Sequence, residues 1–168
     1  MSDFLKTHHD EIRNLLSKYP RGEERSAVMP LLHLAQREKG SISRHDIDAI
    51  ATLLSITTTE VTSIIGFYTL YHDKPEGRLR IQVCTDLPCA LRGADKFLTD
   101  LCGKLGIQPG GTTPDGLVTV EAVMCLAACD KAPMFQLQGP DGIEYHENMT
   151  VDKTLALIES RKNDREVM

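Results

Sequence analysis

The 168-residue sequence contains no tryptophan, and aromatic residues make up only 5% of it. No apolar run approaches the roughly 20 residues that a membrane-spanning helix needs. Basic residues do not outnumber acidic ones: 19 Lys and Arg stand against 24 Asp and Glu, which gives a net charge of −5. Acidic chains are poor non-specific nucleic-acid binders, because that binding depends on neutralising phosphates. These absences predict no direct membrane insertion and no nucleic-acid partner.

Several catalytic signatures are also missing from the sequence. No Gly-x-Gly-x-x-Gly follows a predicted strand and there is no Walker loop, so no dinucleotide or phosphate cradle is visible. No Ser-His-Asp or Cys-His set is visible either. The histidines form no i,i+4 pair of the metalloprotease kind, and we expect surface roles for all six. They are His8, His9, His33, His45, His72 and His146. The chain therefore shows no complete active site of its own.

The first residues, Met1-Ser2-Asp3-Phe4, resemble neither a secretory signal nor an Arg-rich transit peptide. This predicts a cytoplasmic chain in a reducing environment, where cysteines serve metals or catalysis more often than structural disulfides. Hydrophobic residues make up 41% of the sequence, which is enough to build a folded core.

Apolar residues recur at helical spacing in four stretches of the first half. Pro20 ends the first stretch, and Gly40 is the expected residue just past the end of the second. Ser43 is the expected cap of the third, and Thr57 with Glu60 has capping-box spacing for the fourth. Charged and turn-forming residues 73–77 then interrupt the pattern. We therefore predict an N-terminal helical bundle over residues 1–74, followed by a second domain over residues 75–168.

From Leu79 the apolar residues alternate, which predicts a strand that ends at Cys84. A helix ending at Gly106, a loop over residues 109–116 and a second strand over residues 117–124 follow. Residues 134–138 and 143–146 predict a hairpin, and residues 151–160 predict a closing helix. The order strand, helix, three strands, helix predicts an α/β (α+β) domain of the thioredoxin type.

An unusually apolar segment, Phe67-Tyr68-Thr69-Leu70-Tyr71, lies just before the predicted domain boundary. Core packing is the expected role for these side chains. A partner interface is the alternative.

Four of the five cysteines form two pairs, Cys84 with Cys89 and Cys125 with Cys129. Since Cys84 ends one predicted strand and Cys125 follows another, we expect both pairs at one edge of the sheet. Cys89 is predicted at the start of a helix, where the helix dipole stabilises a thiolate. Gly93, one turn further, is expected to let that helix approach closely. The pattern is typical of a four-thiolate metal site.

The spacing within the pairs favours a [2Fe–2S] cluster without excluding other sites. Four residues separate Cys84 from Cys89, a gap that plant-type ferredoxins also use. Three residues separate Cys125 from Cys129, within the range of structural zinc sites. A thioredoxin-like redox dithiol would need Cys-x-x-Cys, which is absent. On spacing alone, a zinc site and unliganded thiols remain alternatives to the cluster. Cys102 lies in a helical apolar stripe and is predicted to be a core residue.

The segments Cys84-Thr85-Asp86-Leu87-Pro88-Cys89 and Cys125-Leu126-Ala127-Ala128-Cys129 resemble the two cluster motifs of a known family. This is the family of the 24-kilodalton subunit of respiratory complex I, the E subunit of bacterial NADH:quinone oxidoreductase. Residues 34–40 and 61–71 are similar to its helical half, so the resemblance covers nearly the whole chain.

The resemblance implies a thioredoxin-like domain with one [2Fe–2S] cluster bound by Cys84, Cys89, Cys125 and Cys129. It further implies that the cluster exchanges single electrons with FMN on a larger flavoprotein subunit, which binds NADH and FMN. Further subunits of the complex are expected partners, at the cytoplasmic face of the inner membrane. Related subunits also serve NAD-linked hydrogenases and formate dehydrogenases, and a zinc-stabilised interaction module remains a further alternative.

One position departs from the family pattern, because Ala127 stands where the family usually has Gly. If the position needs a positive φ, Ala costs about 1 kcal/mol there.

We expect Leu87, Leu91 and Leu126 to bury the cluster and disfavour its reduction. Asp86 and Asp130 are expected to act in the same direction, and Arg92 and Lys131 against them.

Overall fold

The computed structural model describes residues 3–140 and 142–163. The chain divides into two compact units, one ending at Pro75 and the other beginning at Glu76. No single helix in the described ranges is long and apolar enough to cross a membrane, although Arg44–Leu54 and Thr58–Phe67, bent by 119° at their junction, meet the length and composition criteria as a pair.

The first unit is helical. It contains α1 (Asp3–Thr7), α2 (His9–Leu16), a short 3-10 turn (Glu24–Ala27), α3 (Val28–Lys39), α4 (Arg44–Leu54) and α5 (Thr58–Phe67). Three predicted end signals are confirmed: Gly40 follows α3 with φ 73°, and Ser43 and Thr57 each form a capping box at the start of α4 and α5. Pro20 does not mark the end of the first helix, because α2 already ends at Leu16. The side chain of each capping residue accepts a hydrogen bond from the backbone N–H three residues later.

The core of this unit contains the apolar faces that the helical spacing predicted. Leu31 and Leu32 of α3, Ile50 of α4 and Val61 of α5 are fully buried. The segment after α5 behaves differently. Phe67, Tyr68 and Leu70 are exposed, so the expectation that this segment packs into the core is wrong for these three side chains.

The second unit contains a sheet and three helices within its described residues. The strands are β1 (Leu79–Cys84), β2 (Gly111–Thr112), β3 (Val118–Val123), β4 (Phe135–Gly139) and β5 (Gly142–His146). The helices are α6 (Leu87–Leu91), α7 (Ala94–Leu105) and α8 (Val151–Asn163), and a 3-10 turn spans Cys129–Lys131. The strands lie in the order β2-β3-β1-β4-β5. β1 runs parallel to β3 and antiparallel to β4. The predicted thioredoxin-like architecture is confirmed.

The two faces of β1 differ because its side chains alternate. Leu79, Ile81 and Val83 pack into an apolar core with α7 and α8. Gln82, on the opposite face, donates to Glu121 of β3 at 2.7 Å and accepts a hydrogen bond from Gln136 of β4 at 2.7 Å. Both faces of this central strand are buried, which fixes its register and therefore the position of Cys84 at its end.

Three local predictions need correction. The predicted loop over residues 109–116 contains strand β2, which pairs with β3. A separate short helix, α6, holds Cys89, and α7 begins only at Ala94. Gly93 is the residue that caps α7, with φ 92°, and a Cβ placed on it would meet no atom within 4 Å. Its role is therefore the left-handed turn between the two helices, and the expected close approach is wrong.

Candidate metal centre

Parallel pairing of β1 and β3 brings the two cysteine loops to one edge of the sheet. Cys84 lies opposite Val123, the last residue of β3, so both strands end at the same level. The backbone N–H of Thr85 then donates to the carbonyl of Val123 at 3.0 Å, which holds the two loops together where they leave the sheet. The predicted placement of both loops at one sheet edge is confirmed.

The first pair, Cys84 and Cys89, is buried. Their exposures are 1% and 0%, and both pack in an apolar cluster with Ala94, Ala132 and Met134. Asp86 positions Cys89, because its carboxylate accepts a hydrogen bond from Leu87 N–H at 2.9 Å and so caps α6. Cys89 lies in the first turn of that helix, as the sequence predicted.

The second pair, Cys125 and Cys129, lies closer to solvent. Cys125 is exposed and Cys129 is half-buried at the start of a 3-10 turn. Their Sγ atoms are 3.9 Å apart. Two thiolates on one tetrahedral metal, with bonds of about 2.3 Å, lie about 3.8 Å apart, so the distance within this pair matches two of the ligands of one metal ion. The distance suits iron and zinc equally.

The ionisation of Cys89 and of Cys129 is influenced by the neighbouring thiols. Burial raises the pKa of Cys89 to about 12, and the nearby Cys84, Cys129 and Cys125 thiols act in the same direction. The pKa of Cys129 is also raised, first by its hydrogen bond with Cys125 and then by burial. The surroundings of Cys89 and Cys129 therefore oppose formation of their thiolates, whereas a bound cation stabilises several thiolates together. The donor set therefore fits a metal–thiolate group.

No single-ion site is preformed: among the described residues, no group of three or more His, Cys, Asp or Glu side chains is arranged to hold one ion.

The family usually has Gly at the position of Ala127, and the backbone there has a left-handed conformation. Its φ is 60°, one of the few positive values at a non-glycine residue in the described chain. In this conformation the Ala127 N–H donates to Cys125 Sγ at 3.3 Å. The turn therefore points the Ala127 N–H dipole towards the Cys125 sulfur, and this dipole stabilises negative charge on that sulfur.

The leucines around the site do not cover it as expected. Leu87 and Leu91 are 69% and 80% exposed, and only Leu126 is partly buried. Met124, which was not among the predicted site residues, lies directly before Cys125 and is 78% exposed. Its position between β3 and a cysteine was the signal that could have identified it. The site therefore has an apolar, exposed rim.

The charged residues near the site already have partners. Lys131 Nζ lies 3.6 Å from the carboxylate of Asp130, and Arg92 Nε donates to the carbonyl of Ala132 at 3.4 Å. Asp86 is close enough to contribute to the raised pKa of Cys129. Asp86 therefore acts on the site by its charge as well as by capping α6.

The remaining cysteine lies in the apolar core of the second unit and not in the cluster that contains Cys84 and Cys89. Cys102 is 2% exposed in the core with Leu98 and Leu101, so its predicted structural role is confirmed. His9, His33 and His45 are exposed. His8, His72 and His146 are partly buried. His146 stacks on Phe135 with ring centroids 5.1 Å apart.

A thioredoxin-like sheet with two cysteine pairs at one edge defines a small metal–thiolate protein of the ferredoxin class. Residues 12–162 match the family described as thioredoxin-like [2Fe-2S] ferredoxin. The chain belongs to that family, and its cofactor is one [2Fe–2S] cluster, as predicted.

Individual proteins agree with the family assignment. The chain is 39% identical to an NADH-quinone oxidoreductase E subunit of Rhizobium meliloti, over 92% of this chain and 88% of the relative. It is 37% identical to the second subunit of the NADH-quinone oxidoreductase of Thermus thermophilus, over 98% of this chain and 91% of the relative. The predicted resemblance is thereby confirmed over most of the sequence.

Solved structures agree in fold. A chain of the NAD+-reducing [NiFe]-hydrogenase superposes with a TM-score of 0.66 at 22% identity. The match covers 82% of this chain but only 23% of the hydrogenase chain, so the shared fold is one segment of a much longer polypeptide there. At this identity the likeness shows the fold alone.

Proposed function

We propose that this chain is the electron-transfer subunit of an NADH-quinone oxidoreductase. In this proposal Cys84, Cys89, Cys125 and Cys129 hold the [2Fe–2S] cluster, and the chain exchanges single electrons with FMN on a larger, NADH-binding flavoprotein subunit. The observation that carries the proposal is the meeting of both cysteine pairs at the end of β1 and β3, in a chain whose relatives are subunits of that enzyme.

The chain's own residues divide the work at the site. The bound cluster would supply one-electron redox chemistry. Cys84 and Cys89 would hold it from the buried side, and Cys125 and Cys129 from the side that faces solvent. The Ala127 N–H stabilises charge on the Cys125 sulfur, while burial of the first pair and the carboxylate of Asp86 oppose added negative charge. The balance of these groups would set the reduction potential.

The exposed rim supports a partner at this site. Leu87 and Leu91 lie on the helix that holds Cys89, Met124 directly precedes Cys125, and all three side chains are exposed. Large apolar side chains are usually covered in a working assembly. We propose that the flavoprotein subunit covers this rim, which also excludes water from the path of the electron. The second domain, residues 75–168, would then carry the redox site, and the helical domain, residues 1–74, would serve assembly. The complex is membrane-associated, and we place this chain on its cytoplasmic face.

Anaerobic purification of the full chain tests the cofactor and its ligands. We expect about two iron and two sulfide per chain and a red-brown colour, with an electron paramagnetic resonance signal after reduction. Cys129→Ala should lose the colour, whereas Cys102→Ala should keep it. A colourless wild-type protein that contains zinc would refute the proposal.

Purification of the chain from its native cells tests the assembly. The expected partner is a subunit that contains FMN and oxidises NADH, in a complex that reduces quinone. Recovery of the chain only with hydrogenase or formate dehydrogenase subunits would reassign it to a different enzyme.

A further inference from the structure

A second exposed apolar surface lies in the helical unit, separate in sequence from the cysteine loops. It consists of Phe67, the last residue of α5, with Tyr68 and Leu70 after it, and we call it the aromatic patch. Their exposures are 78%, 42% and 44%. Large exposed aromatic side chains favour protein interfaces, where Phe and Tyr act as anchors in buried pockets.

The backbone beneath the aromatic patch is held in place by hydrogen bonds within the helical unit. The Gln36 side chain donates to the carbonyl of Leu70 at 2.7 Å and accepts from His72 N–H at 2.7 Å. The Tyr71 hydroxyl donates to the carbonyl of Met29 at 3.0 Å, and Ile42 N–H donates to the carbonyl of His72 at 2.7 Å. These bonds tie the segment to α3 and to the residue before Ser43, so the patch is presented on an ordered support. Preorganisation of this kind lowers the entropic cost of binding.

The side chains of the patch are arranged for a compact contact. The rings of Phe67 and Tyr68 meet edge to face, with centroids 5.1 Å apart and planes inclined by 76°. Tyr68 makes a second edge contact with Tyr71, at 6.4 Å. Residues 67–71 carry no charged side chain. The complementary surface is therefore apolar and uncharged, since facing a charged group here would desolvate it without a partner.

The area of the patch argues against pairing with a second copy. Taking about 200 Å² for each fully exposed side chain, the three residues offer about 330 Å². Two such patches facing each other would bury about 650 Å², well below the roughly 1,200 Å² of a stable interface. A contact limited to two patches is therefore too small, and the relatives of this chain are subunits of a larger enzyme, whose other subunits are the available partners.

We infer that the aromatic patch docks into an apolar, uncharged cleft of another subunit of the same assembly, and anchors this chain there. This inference rests on the proposed function, because it requires that the chain works inside a multi-subunit oxidoreductase. It assigns the helical unit a task that is independent of the cysteine site: Phe67 holds the chain in the assembly, while the cysteines carry the redox group.

The test uses the tagged full-length chain, produced in its native cells in place of the untagged one. The measurement is the amount of tagged chain per FMN in the NADH-oxidising fraction, together with its dissociation on dilution. Phe67→Ser should dissociate about 30-fold more readily, as expected for loss of a central aromatic anchor, and Leu70→Ser should show a smaller effect in the same direction. Both variants should keep the visible absorption of the cluster and the helical content of the wild type.

Tyr145→Ser is the matched control, because Tyr145 is an aromatic residue 52% exposed on β5 of the other unit. It should leave dissociation unchanged. Equal retention of Phe67→Ser and wild type overturns the inference, and so does an equal loss with Tyr145→Ser. Self-association of the isolated chain that Phe67→Ser abolishes, measured by analytical ultracentrifugation, also overturns it. A wild-type chain absent from the NADH-oxidising fraction instead refutes the proposed function.

Discussion

Replacing Ala127 by glycine should stabilise the protein, although the change removes a methyl group. Ala127 has a φ of 60° in the loop between Cys125 and Cys129, and a left-handed conformation costs a non-glycine residue about 1–2 kcal/mol. Glycine avoids that cost but gains freedom in the unfolded chain, which offsets about 0.4–1 kcal/mol. The expected gain in the free energy of unfolding is therefore about 0.5–1 kcal/mol. The N–H that donates to Cys125 Sγ is kept.

The assay is urea unfolding of the reconstituted full chain, followed by far-ultraviolet circular dichroism. Gly40→Ala provides the reverse control: Gly40 has a φ of 73°, and a Cβ there would meet no atom within 4 Å. It should lose about 1 kcal/mol for the same conformational reason, without any steric clash. If Gly40→Ala destabilises as expected while Ala127→Gly is neutral or destabilising, the reasoning about Ala127 is refuted.

Four further substitutions separate the roles of individual residues. Cys129→Ala should abolish the visible absorption of the cluster, whereas Cys102→Ala should keep it and lower the free energy of unfolding by about 1 kcal/mol, measured by urea unfolding. Asp86→Asn should raise the midpoint potential in a redox titration, because it removes a negative charge but keeps an acceptor that caps α6; an unchanged or lower potential would contradict this. Glu144 accepts two hydrogen bonds from Arg161, at 2.7 Å each, which lower its pKa below the usual 4.5. Since the folded-state pKa is lowered, the contribution of Glu144 to the free energy of unfolding is complete above about pH 4.5 and is lost as the pH falls through the lowered value. Unfolding of Glu144→Gln, measured at several pH values, should lack this pH-dependent part of the stability.

The helices and strands that follow local rules could be predicted from the sequence. Gly40, Ser43 and Thr57 mark helix ends through interactions with residues only a few positions away, so their effect is visible in the chain itself. Strand β2 could not be predicted, because two residues form a strand only through their partner β3. The same limit applied to Gly93, whose left-handed φ depends on how α6 and α7 are joined.

Exposure was the least predictable property, because it depends on what the rest of the chain covers. From the sequence, Leu87 and Leu91 were expected to bury the cluster, and Phe67 was expected to pack in the core. All three side chains are exposed. An apolar side chain at a partner interface and one in a core look identical in the sequence. Only the packed structure separates them, and it does so by leaving these side chains at the surface.

The sequence by itself determined the two cysteine pairs and the family, because spacing and local motifs carry that information. The tertiary structure alone decided how the pairs differ. Parallel pairing of β1 and β3 brings residues 41 positions apart, Cys84 and Cys125, to one sheet edge. Packing of Ala94, Ala132 and Met134 then buries the first pair, whereas the turn at Ala127 leaves Cys125 at the surface. Burial is a property of long-range contacts, and those contacts form only when the chain folds.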